Sequence, residues 1–411
     1  MARHDRLDVE RLALRLGRRL ARPGGSPLES LGDATQAADL SPAAIAERWG
    51  ASRAFLLDFI RREMGDDPSL VALAEEALHN GREGLELIGG HREETGTELG
   101  GVEAGIEVIV RTDGSRPAFL IRDGRLVESS APDSPWTELL GDVLREAAVE
   151  TLIGSVGRVD VTHPFYPFAG TAWLIAPDLA ATNRHVAQIF VDFFDDAGPK
   201  IRAGLDPHVD FGHEFKGQAS VNRRPIVELV FAGAEAIPAL GINHDLLDMA
   251  VLRLGARVTP GPPQTPLAIG TGPALTVPQT QVVVTGYPAK PRHDALGSVS
   301  ETDRVLQRLF GKLWGFKRLA PGEIMPPRLT GRTLTHDAST LGGNSGSLVA
   351  GIDTLAAVTG LHYGGTWGGD RANWGHALET VLDEEGLAGL RHATLRDLAA
   401  HEDVRIVAAG G

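Results

Sequence analysis

The chain contains no cysteine among its 411 residues. This absence excludes disulfide bonds, a cysteine nucleophile and zinc held by cysteine thiolates. Secreted enzymes of this size often carry at least one disulfide, so a chain without cysteine fits a reducing compartment. The composition therefore predicts a cytoplasmic protein.

Long hydrophobic runs are also missing. The stretch from Met1 to Arg22 alternates charged residues with leucines, which is not the pattern of a secretory signal peptide. No other stretch approaches the length needed to cross a bilayer. We therefore expect a soluble protein that has no membrane as a partner.

Positive charge is scarce in this sequence. The 40 lysines and arginines are outnumbered by 54 aspartates and glutamates, which gives a formal net charge of −14. Binding to nucleic acid or to an anionic membrane requires clustered basic surface. The charge balance therefore argues against nucleic acid as a partner.

The hydrophobic spacing changes along the chain and predicts four regions. Helical spacing predicts a helical, regulatory or partner-binding N-terminal region at 1–95, and a period of two predicts a small β-meander with a linking helix at 96–153. Short strands between Gly, Pro, Asn and Asp fill 154–390, which is typical of an antiparallel barrel or sandwich. A C-terminal helix and tail occupy 391–411, and helix is expected to resume from about Trp374 to Glu402. The fold class is therefore mainly β.

A serine between glycines is the strongest chemical signal. Ser345 lies in the stretch Leu341-Gly342-Gly343-Asn344-Ser345-Gly346-Ser347. Glycine allows positive φ and lets a substrate approach the backbone closely. A serine hydroxyl is a poor nucleophile by itself, so it needs a neighbouring base and donors for the oxyanion that it creates.

Two upstream residues could supply that activation. His185 follows an apolar run and a turn, near the end of a predicted strand, and Asp248 directly precedes the buried strand that begins at Met249. A buried aspartate must find a hydrogen-bond donor, which could be an imidazole or simply a backbone N–H. Asp245 is the second choice, because no apolar strand follows it directly.

These three residues suggest acyl transfer. Ser345 would attack the carbonyl carbon, His185 would take the serine proton and return it to the leaving amine, and Asp248 would hold the imidazole tautomer. The backbone N–H groups of Gly343 and Ser345 would receive the oxyanion. This chemistry requires no metal and no organic cofactor.

The motifs resemble those of the trypsin-like, or chymotrypsin-fold, serine peptidases, and within that group the glutamyl endopeptidase branch. The resemblance covers about half the chain, and its motifs are Thr182-Asn183-Arg184-His185-Val186, Val284-Thr285-Gly286-Tyr287-Pro288, Asp337 to Ser347, and Gly360-Leu361-His362-Tyr363-Gly364-Gly365. It implies two antiparallel Greek-key barrels of six strands each. His185 and Asp248 would come from the first barrel and Ser345 from the second.

The same resemblance implies a pocket that reads an acidic side chain before the scissile bond. His362 and Thr340 would bind the substrate carboxylate, with charge-assisted bonds when the imidazole is protonated. Gly364 and Gly365 would leave room for the side chain and offer backbone to an extended substrate. The alternative is that His362 is a core histidine whose hydrogen bonds are satisfied.

Asn344 departs from the pattern of relatives that are activated as zymogens. Those relatives carry an aspartate before the nucleophile, and it pairs with a newly cut N-terminal amine. Without that carboxylate the usual switch cannot operate. We therefore expect the N-terminal region to regulate the peptidase by docking, occlusion or recruitment of a protein partner.

The segment from Glu301 to Arg332 is long, amphipathic and locally basic. It could be a helical insertion packed on the second barrel, or an activation or gating loop. Its place between the Gly-Tyr-Pro strand and the nucleophile loop allows both.

Two other functions compete with the peptidase. Pro42 to Arg53 has the spacing of a helix-turn-helix, which would make the chain a DNA- or partner-tethered regulator, although an ordinary helical hairpin also fits. A peptidase fold without activity that serves as a scaffold is the third hypothesis.

Overall fold

A computed structural model gives the structure of the protein. It describes most of the chain from residue 116 onward, and the described stretches are 108–109, 116–127, 136, 147–162, 168–193, 198–216, 222–238, 242–258, 263–290, 306, 309–311, 313–326, 331–355, 357–366 and 372–408. The helices expected within 1–95, including the helix-turn-helix-like segment, lie outside these residues.

Strands dominate the described residues. In chain order they are β1 (Val108–Ile109), β2 (Phe119–Arg122), β3 (Arg125–Val127), β4 (Val156–Asp160), β5 (Gly170–Ala176), β6 (Leu179–Thr182), β7 (Val191–Asp192), β8 (Lys200–Ile201), β9 (His208–Asp210), β10 (Arg223–Ala232), β11 (Ala250–Leu254), β12 (Ala268–Thr271), β13 (Gln281–Gly286), β14 (Arg318–Glu323), β15 (Thr333–His336), β16 (Thr340–Leu341), β17 (Leu348–Gly351), β18 (Ala357–Thr366), β19 (Ala372–Ala377) and β20 (Ile406–Ala408).

Helices are few and short where the structure gives their bounds. They are α1 (Ala147–Gly154), α2 (Arg184–Gln188), α3 (Leu378–Val381) and α4 (Leu395–His401), with 3₁₀ turns at Pro273–Thr276 and Ile352–Thr354. Among the described helices, none has both the length and the apolar character that crossing a bilayer requires. The mainly β fold class is confirmed.

Six antiparallel strands close into the first barrel, in the order β10, β11, β6, β5, β4, β9. Every residue of β5 is buried, because its two faces meet the barrel interior and neighbouring structure. Leu174, Val209 and Leu252 belong to the apolar core of this barrel. The barrel carries α2, and the loop before β11 contains Asp248.

The second barrel is part of a larger sheet. The sheet follows the order β15, β19, β18, β17, β13, β14, β2, β3, and β12 and β20 join it through β18. A bridge between Ile324 and His336 brings the end of β14 back to β15, which closes a ring of six strands. Val282, Val349 and Leu334 lie in its core.

The strands expected as a separate meander are joined to the second barrel. β2 pairs with β14, and β3 forms a hairpin with β2 through a turn at Asp123 and Gly124. Both turn residues have positive φ, 53° and 73°, as a tight two-residue hairpin requires. β1 pairs with β16, with Ile109 opposite Thr340. The segment before the first barrel therefore reaches the strand that leads to the nucleophile loop.

Helix was expected from about Trp374 onward, and this expectation is wrong at its start. Trp374 lies in β19, which pairs with β15 on one side and β18 on the other. The whole strand is buried, and a strand with two buried faces lacks the alternation that marks strands in a sequence. Helix resumes only at α3 and then α4, after which the tail forms β20 beside β12.

The segment 301–332 combines a helical part with a core strand. Leu306, Leu309 and Phe310 are buried against the second barrel, as a packed insertion would be. Two of its basic residues are also buried: Lys317 Nζ binds the carbonyl of Phe211 at 2.9 Å, and Arg318 forms part of β14. The charges of these two residues therefore serve internal bonds.

Candidate active site

The first barrel fixes His185 through the turn after β6. β6 ends at Thr182, Asn183 precedes α2, and His185 lies in the first turn of that helix. The side-chain Nδ2 of Asn183 donates to the main-chain oxygen of Asp248 at 2.8 Å. This bond ties the histidine turn to the loop before β11.

Both carboxylate oxygens of Asp248 contact His185. Oδ2 lies 2.5 Å from the ring Nδ1, and Oδ1 accepts the backbone N–H of His185 at 2.9 Å. Burial raises the pKa of Asp248, but the charge of His185 and these hydrogen bonds outweigh burial and hold the pKa below its usual value. The contact favours Asp248 over Asp245 as the partner of His185.

A second histidine holds the backbone of the aspartate. His376, fully buried in β19, accepts the N–H of Asp248 at Nε2 over 2.9 Å. Burial lowers the pKa of His376 to about 4, so the imidazole is neutral at neutral pH with its proton on Nδ1. The bond joins the second barrel to the Asp248 loop. Sequence analysis did not identify this residue.

Ser345 lies in a turn that only glycine neighbours permit. Gly343 and Gly346 have φ of 88° and 84°, in the left-handed region. A Cβ on Gly343 would meet the carbonyl oxygen of Tyr287 at 2.5 Å and the ring of Phe168 at 2.8 Å. The glycines therefore allow the turn to pack closely, and the Ser345 side chain is almost fully buried.

The first barrel anchors this turn and brings it beside the histidine turn. Thr171 in β5 donates its N–H to the carbonyl of Ser345 at 2.8 Å and its hydroxyl to the carbonyl of Gly343 at 2.9 Å. At the neighbouring Gly170, an added Cβ would lie 2.8 Å from Val186 and 3.0 Å from the Ser345 carbonyl. Val186, which follows His185, and the backbone of Ser345 therefore both pack against Gly170 of β5.

Two backbone N–H groups of the turn that carries Ser345 donate hydrogen bonds within the protein. Asn344 N–H donates to the carbonyl of Leu341 at 3.0 Å, and Gly346 N–H donates to that of His362 at 3.0 Å. These two donors alternate along the chain with those of Gly343 and Ser345. The assignment of Gly343 and Ser345 to the oxyanion stays a prediction.

The Asn344 side chain is used inside the turn. Its Nδ2 donates to the carbonyl of Leu341 at 3.1 Å, and its Oδ1 accepts from Ser347 Oγ at 3.4 Å. The turn is therefore organised by neutral local bonds, in agreement with a pocket that forms without a salt bridge to an N-terminal amine.

Thr340, predicted to line the specificity pocket, lies in β16 just before the turn that carries Ser345. Its hydroxyl donates to Oδ1 of Asn373 at 2.6 Å, and Asn373 Nδ2 donates to the carbonyl of Ala338 at 2.6 Å. All three residues are buried. Asn373 therefore orients the hydroxyl, and sequence analysis missed it because it is 33 residues away in β19.

His362 is fully buried in β18 and faces another buried histidine. Its Nδ1 lies 3.2 Å from Nε2 of His336. The Nε2 of His362 is buried and has no hydrogen-bond partner among the described residues. Burial, followed by the charges of His336 and His185, holds the pKa of His362 well below its ordinary value. Among the described residues, His362 therefore has a hydrogen-bond contact at Nδ1 and none at Nε2.

Gly364 and Gly365 continue β18 beyond a bulge at Tyr363. They pair with Trp374 and Asn373 of β19, whereas the described pairing of β18 with β17 ends at Leu361. Within the described strands, this stretch is thus paired on one side only. That arrangement is compatible with an added substrate strand, which stays a prediction.

Known proteins give an independent indication of what this geometry does. Residues 170–360 match a family model described as a trypsin-like peptidase domain. A protein of Lysobacter enzymogenes named "Probable serine protease" is 29% identical over 285 residues, which cover 64% of this chain and 70% of that protein.

Solved structures with a similar arrangement include a Glu endopeptidase in complex with MPD, at 18% identity. The similar region covers 55% of this chain and 85% of the endopeptidase chain, with a TM-score of 0.35. The active form of the Rv3671c protease from M. tuberculosis is also 18% identical and covers 60% of this chain and 84% of its own, again with a TM-score of 0.35. Likenesses this low carry no argument about function.

The match of residues 170–360 contains all three residues of the predicted triad. Together with the similarity to the protein named "Probable serine protease", this match indicates that the protein is a peptidase, a hydrolase of peptide bonds.

Proposed function

We propose that the protein is an endopeptidase that cleaves peptide bonds through an acyl-enzyme on Ser345. The observation that supports this best is the double contact of His185 with Asp248, beside the turn that carries the serine. His185 Nδ1 is bound to the carboxylate, so Nε2 is the nitrogen available for proton transfer.

The reaction would proceed in two stages. Ser345 Oγ attacks the substrate carbonyl while His185 takes its proton, and the proton then passes to the leaving amine. Water next attacks the ester, with His185 again as base, and Ser345 is released. Asp248 holds the tautomer and stabilises the imidazolium. The N–H groups of Gly343 and Ser345 would stabilise the oxyanion, by about 3–4 kcal/mol for each donor.

Covalent labelling tests this mechanism directly. A fluorophosphonate probe should label the full chain, and mass spectrometry should locate the adduct on Ser345. The Ser345→Ala variant should not react. An adduct at another residue would refute the mechanism. No adduct on either the full chain or the folded chain from residue 105 would also refute it and would favour the scaffold hypothesis.

The substrate preference is the finer part of the proposal: an acidic residue before the scissile bond. The unpartnered, buried Nε2 of His362 supports it, because a buried polar atom without a partner is costly and a substrate carboxylate would satisfy it. If His336 Nε2 donates to His362 Nδ1, the proton of His362 lies on Nε2 and can be donated to that carboxylate. Thr340 donates its one hydroxyl proton to Asn373, so it would bind the carboxylate only if the substrate replaced Asn373 as the acceptor.

Peptides that differ only in the residue before the scissile bond test this preference. We expect Glu and Asp to be cleaved with higher kcat/KM than Gln, and Gln and Leu to be poor. Equal cleavage after Glu and Leu would remove the acidic preference and leave the triad mechanism standing.

Regulation through the N-terminal part of the chain is also proposed. The segment after residue 105 supports it, since β1 pairs with β16 next to the pocket and lies close to β18. Arg116 forms two bonds to Asp337, at 2.9 and 2.8 Å, and its carbonyl accepts from Ser339 Oγ at 2.7 Å. The part of the chain that precedes the first barrel therefore contacts residues adjoining Thr340.

Chain length tests the regulatory role. The full chain, a chain from residue 105 and a chain from about Val149 should differ in kcat/KM, with their unfolding temperatures measured in parallel. Equal kinetics for the full chain and the chain from Val149 would refute regulation by the preceding residues. The cytoplasmic location stays a prediction from composition.

A further inference from the structure

Two imidazoles and one carboxylate lie close together at α4, in the C-terminal segment of the chain. His392 Nδ1 lies 3.5 Å from Asp397 Oδ2, and His401 Nδ1 lies 3.1 Å from Asp397 Oδ1. One ligand atom from each of the three residues can be chosen so that all lie within 4.8 Å of one another. Asp397 and His401 are four residues apart and share one face of the helix.

These distances fit the edges of a tetrahedral metal site. Zinc binds imidazole nitrogen and carboxylate oxygen at about 2.0–2.2 Å, so neighbouring ligand atoms in a tetrahedron are separated by roughly 3.3–3.5 Å. The separations of 3.1 and 3.5 Å run to different oxygens of Asp397, so a rotation of the carboxylate or of one imidazole would bring one ligand atom of each residue to the same ion. Two imidazoles with one carboxylate suit zinc and other divalent transition metals.

The buried histidine is already oriented for such a role. His392 is 4% exposed, and its Nε2 lies 3.2 Å from Glu402 Oε1. Arg253 holds that same carboxylate oxygen at 2.7 Å. A histidine that ligates a metal commonly donates its other ring N–H to a carboxylate, which fixes the ring and leaves the ligating nitrogen bare. Glu402 would therefore direct the lone pair of Nδ1 toward Asp397.

The other contacts of the cluster restrict it further. The backbone N–H of Ala393 donates to Asp397 Oδ2 at 3.2 Å, and Asp397 N–H donates to Thr394 Oγ1 at 3.0 Å, which caps the N-terminus of α4. His401 Nδ1 also lies 2.9 Å from the carbonyl of Asp397. The cap holds the carboxylate in place, and metal binding would displace a proton from His401 Nδ1.

We propose that His392, Asp397 and His401 bind one divalent transition metal ion, with zinc as the first candidate and water as the fourth ligand. The ion would join His392 to Asp397 and His401 of α4. Because Glu402 contacts both His392 and Arg253 of β11, the ion would also fasten α4 to the first barrel. It also secures the turn from α4 into β20. The role of the ion is structural and does not involve Ser345.

Zinc titration of the full chain, after treatment with a chelator, tests the proposal. We expect one ion to bind with release of protons, together with a higher unfolding temperature, because the ion binds the folded chain. Cobalt(II) in its place should give the visible absorption of a tetrahedral site.

Three variants locate the ion. His401→Ala and Asp397→Asn should each weaken zinc binding at least tenfold, and His401 is exposed, so its loss should leave the fold intact. Asp383→Asn removes an exposed carboxylate that pairs with Arg396 and should bind zinc like the parent. Unchanged affinity in His401→Ala and Asp397→Asn, or no saturable binding in the parent, overturns the proposal.

Discussion

The buried imidazole of His376 accepts the backbone N–H of Asp248 across 2.9 Å, and the two residues belong to different barrels. The carboxylate of Asp248 is bound to His185 in the first barrel, while its backbone is bound to β19 in the second. The position of the aspartate relative to the serine turn therefore depends on this bond.

Removing the acceptor should impair turnover without affecting substrate binding. In His376→Leu the N–H of Asp248 loses its partner in a buried site, at a cost of about 1–3 kcal/mol. We expect kcat to fall on the order of tenfold with KM unchanged. His376→Gln places an amide oxygen near the position of Nε2 and should recover most of kcat. Equal kcat in the leucine variant and the parent would contradict a positioning role.

The two neighbouring aspartates provide a matched comparison. Asp248→Asn keeps the shape of the side chain but disturbs the tautomer of His185, so kcat should fall by about four orders of magnitude, as in other triads. Asp245→Asn removes a carboxylate three residues away and should leave kcat within a small factor of the parent. Similar losses in both variants would show that general charge, and not the contact with His185, controls the rate.

Buried histidines should make the fold sensitive to acid. The folded-state pKa values of His336 and His376 are lowered to about 4 by burial, whereas an unfolded histidine titrates near 6.5. Between these values the unfolded chain binds protons that the folded chain does not, so stability falls as the pH decreases from about 6.5 to 4. Each histidine contributes a slope of about 1.4 kcal/mol per pH unit.

Urea unfolding at several pH values measures this slope. His376→Gln should reduce it by about 1.4 kcal/mol per pH unit between pH 6.5 and 4. An unchanged slope in the variant would mean that His376 is protonated in the folded protein.

The contact of Arg116 with Asp337, close to the predicted pocket residue Thr340, can be tested in the full chain. Arg116→Ala leaves Asp337, which is largely buried, without its guanidinium partner, so we expect kcat/KM to fall several-fold through KM and the unfolding temperature to decrease. Arg116→Ala combined with Asp337→Asn removes the unpaired charge and should be more stable than Arg116→Ala alone. Arg122→Ala, at an exposed position of β2, should resemble the parent. A parent-like KM in Arg116→Ala would refute the link.

The sequence predicted the parts of the site whose chemistry is local. Ser345 between glycines, His185 after an apolar strand and Asp248 before one are recognisable within a few residues each. His376, Asn373 and Arg116 could not be recognised in this way, because their partners lie between 33 and 221 residues away. Their roles depend on how the second barrel closes. The prediction of helix at Trp374 was wrong for a related reason: Trp374 lies in a strand that is buried on both faces, and burial of this kind is not visible in the local sequence pattern.

The pH dependence of substrate preference tests how His362 recognises a carboxylate. Its pKa lies well below 6.5 because of burial, so the imidazole is neutral in the free enzyme at neutral pH. A bound substrate carboxylate favours the charged imidazole, and binding an acidic substrate should therefore take up a proton.

The ratio of kcat/KM for a Glu peptide to that for the matching Gln peptide isolates this effect. Both peptides share the pH dependence of His185 and Ser345, so the ratio cancels it. We expect the ratio to fall as the pH rises, by up to about tenfold per unit, because one proton is taken up. His362→Gln should reduce the ratio and make it independent of pH. A constant ratio in the parent would mean that binding takes up no proton and that His362 binds the carboxylate as a neutral donor at Nε2.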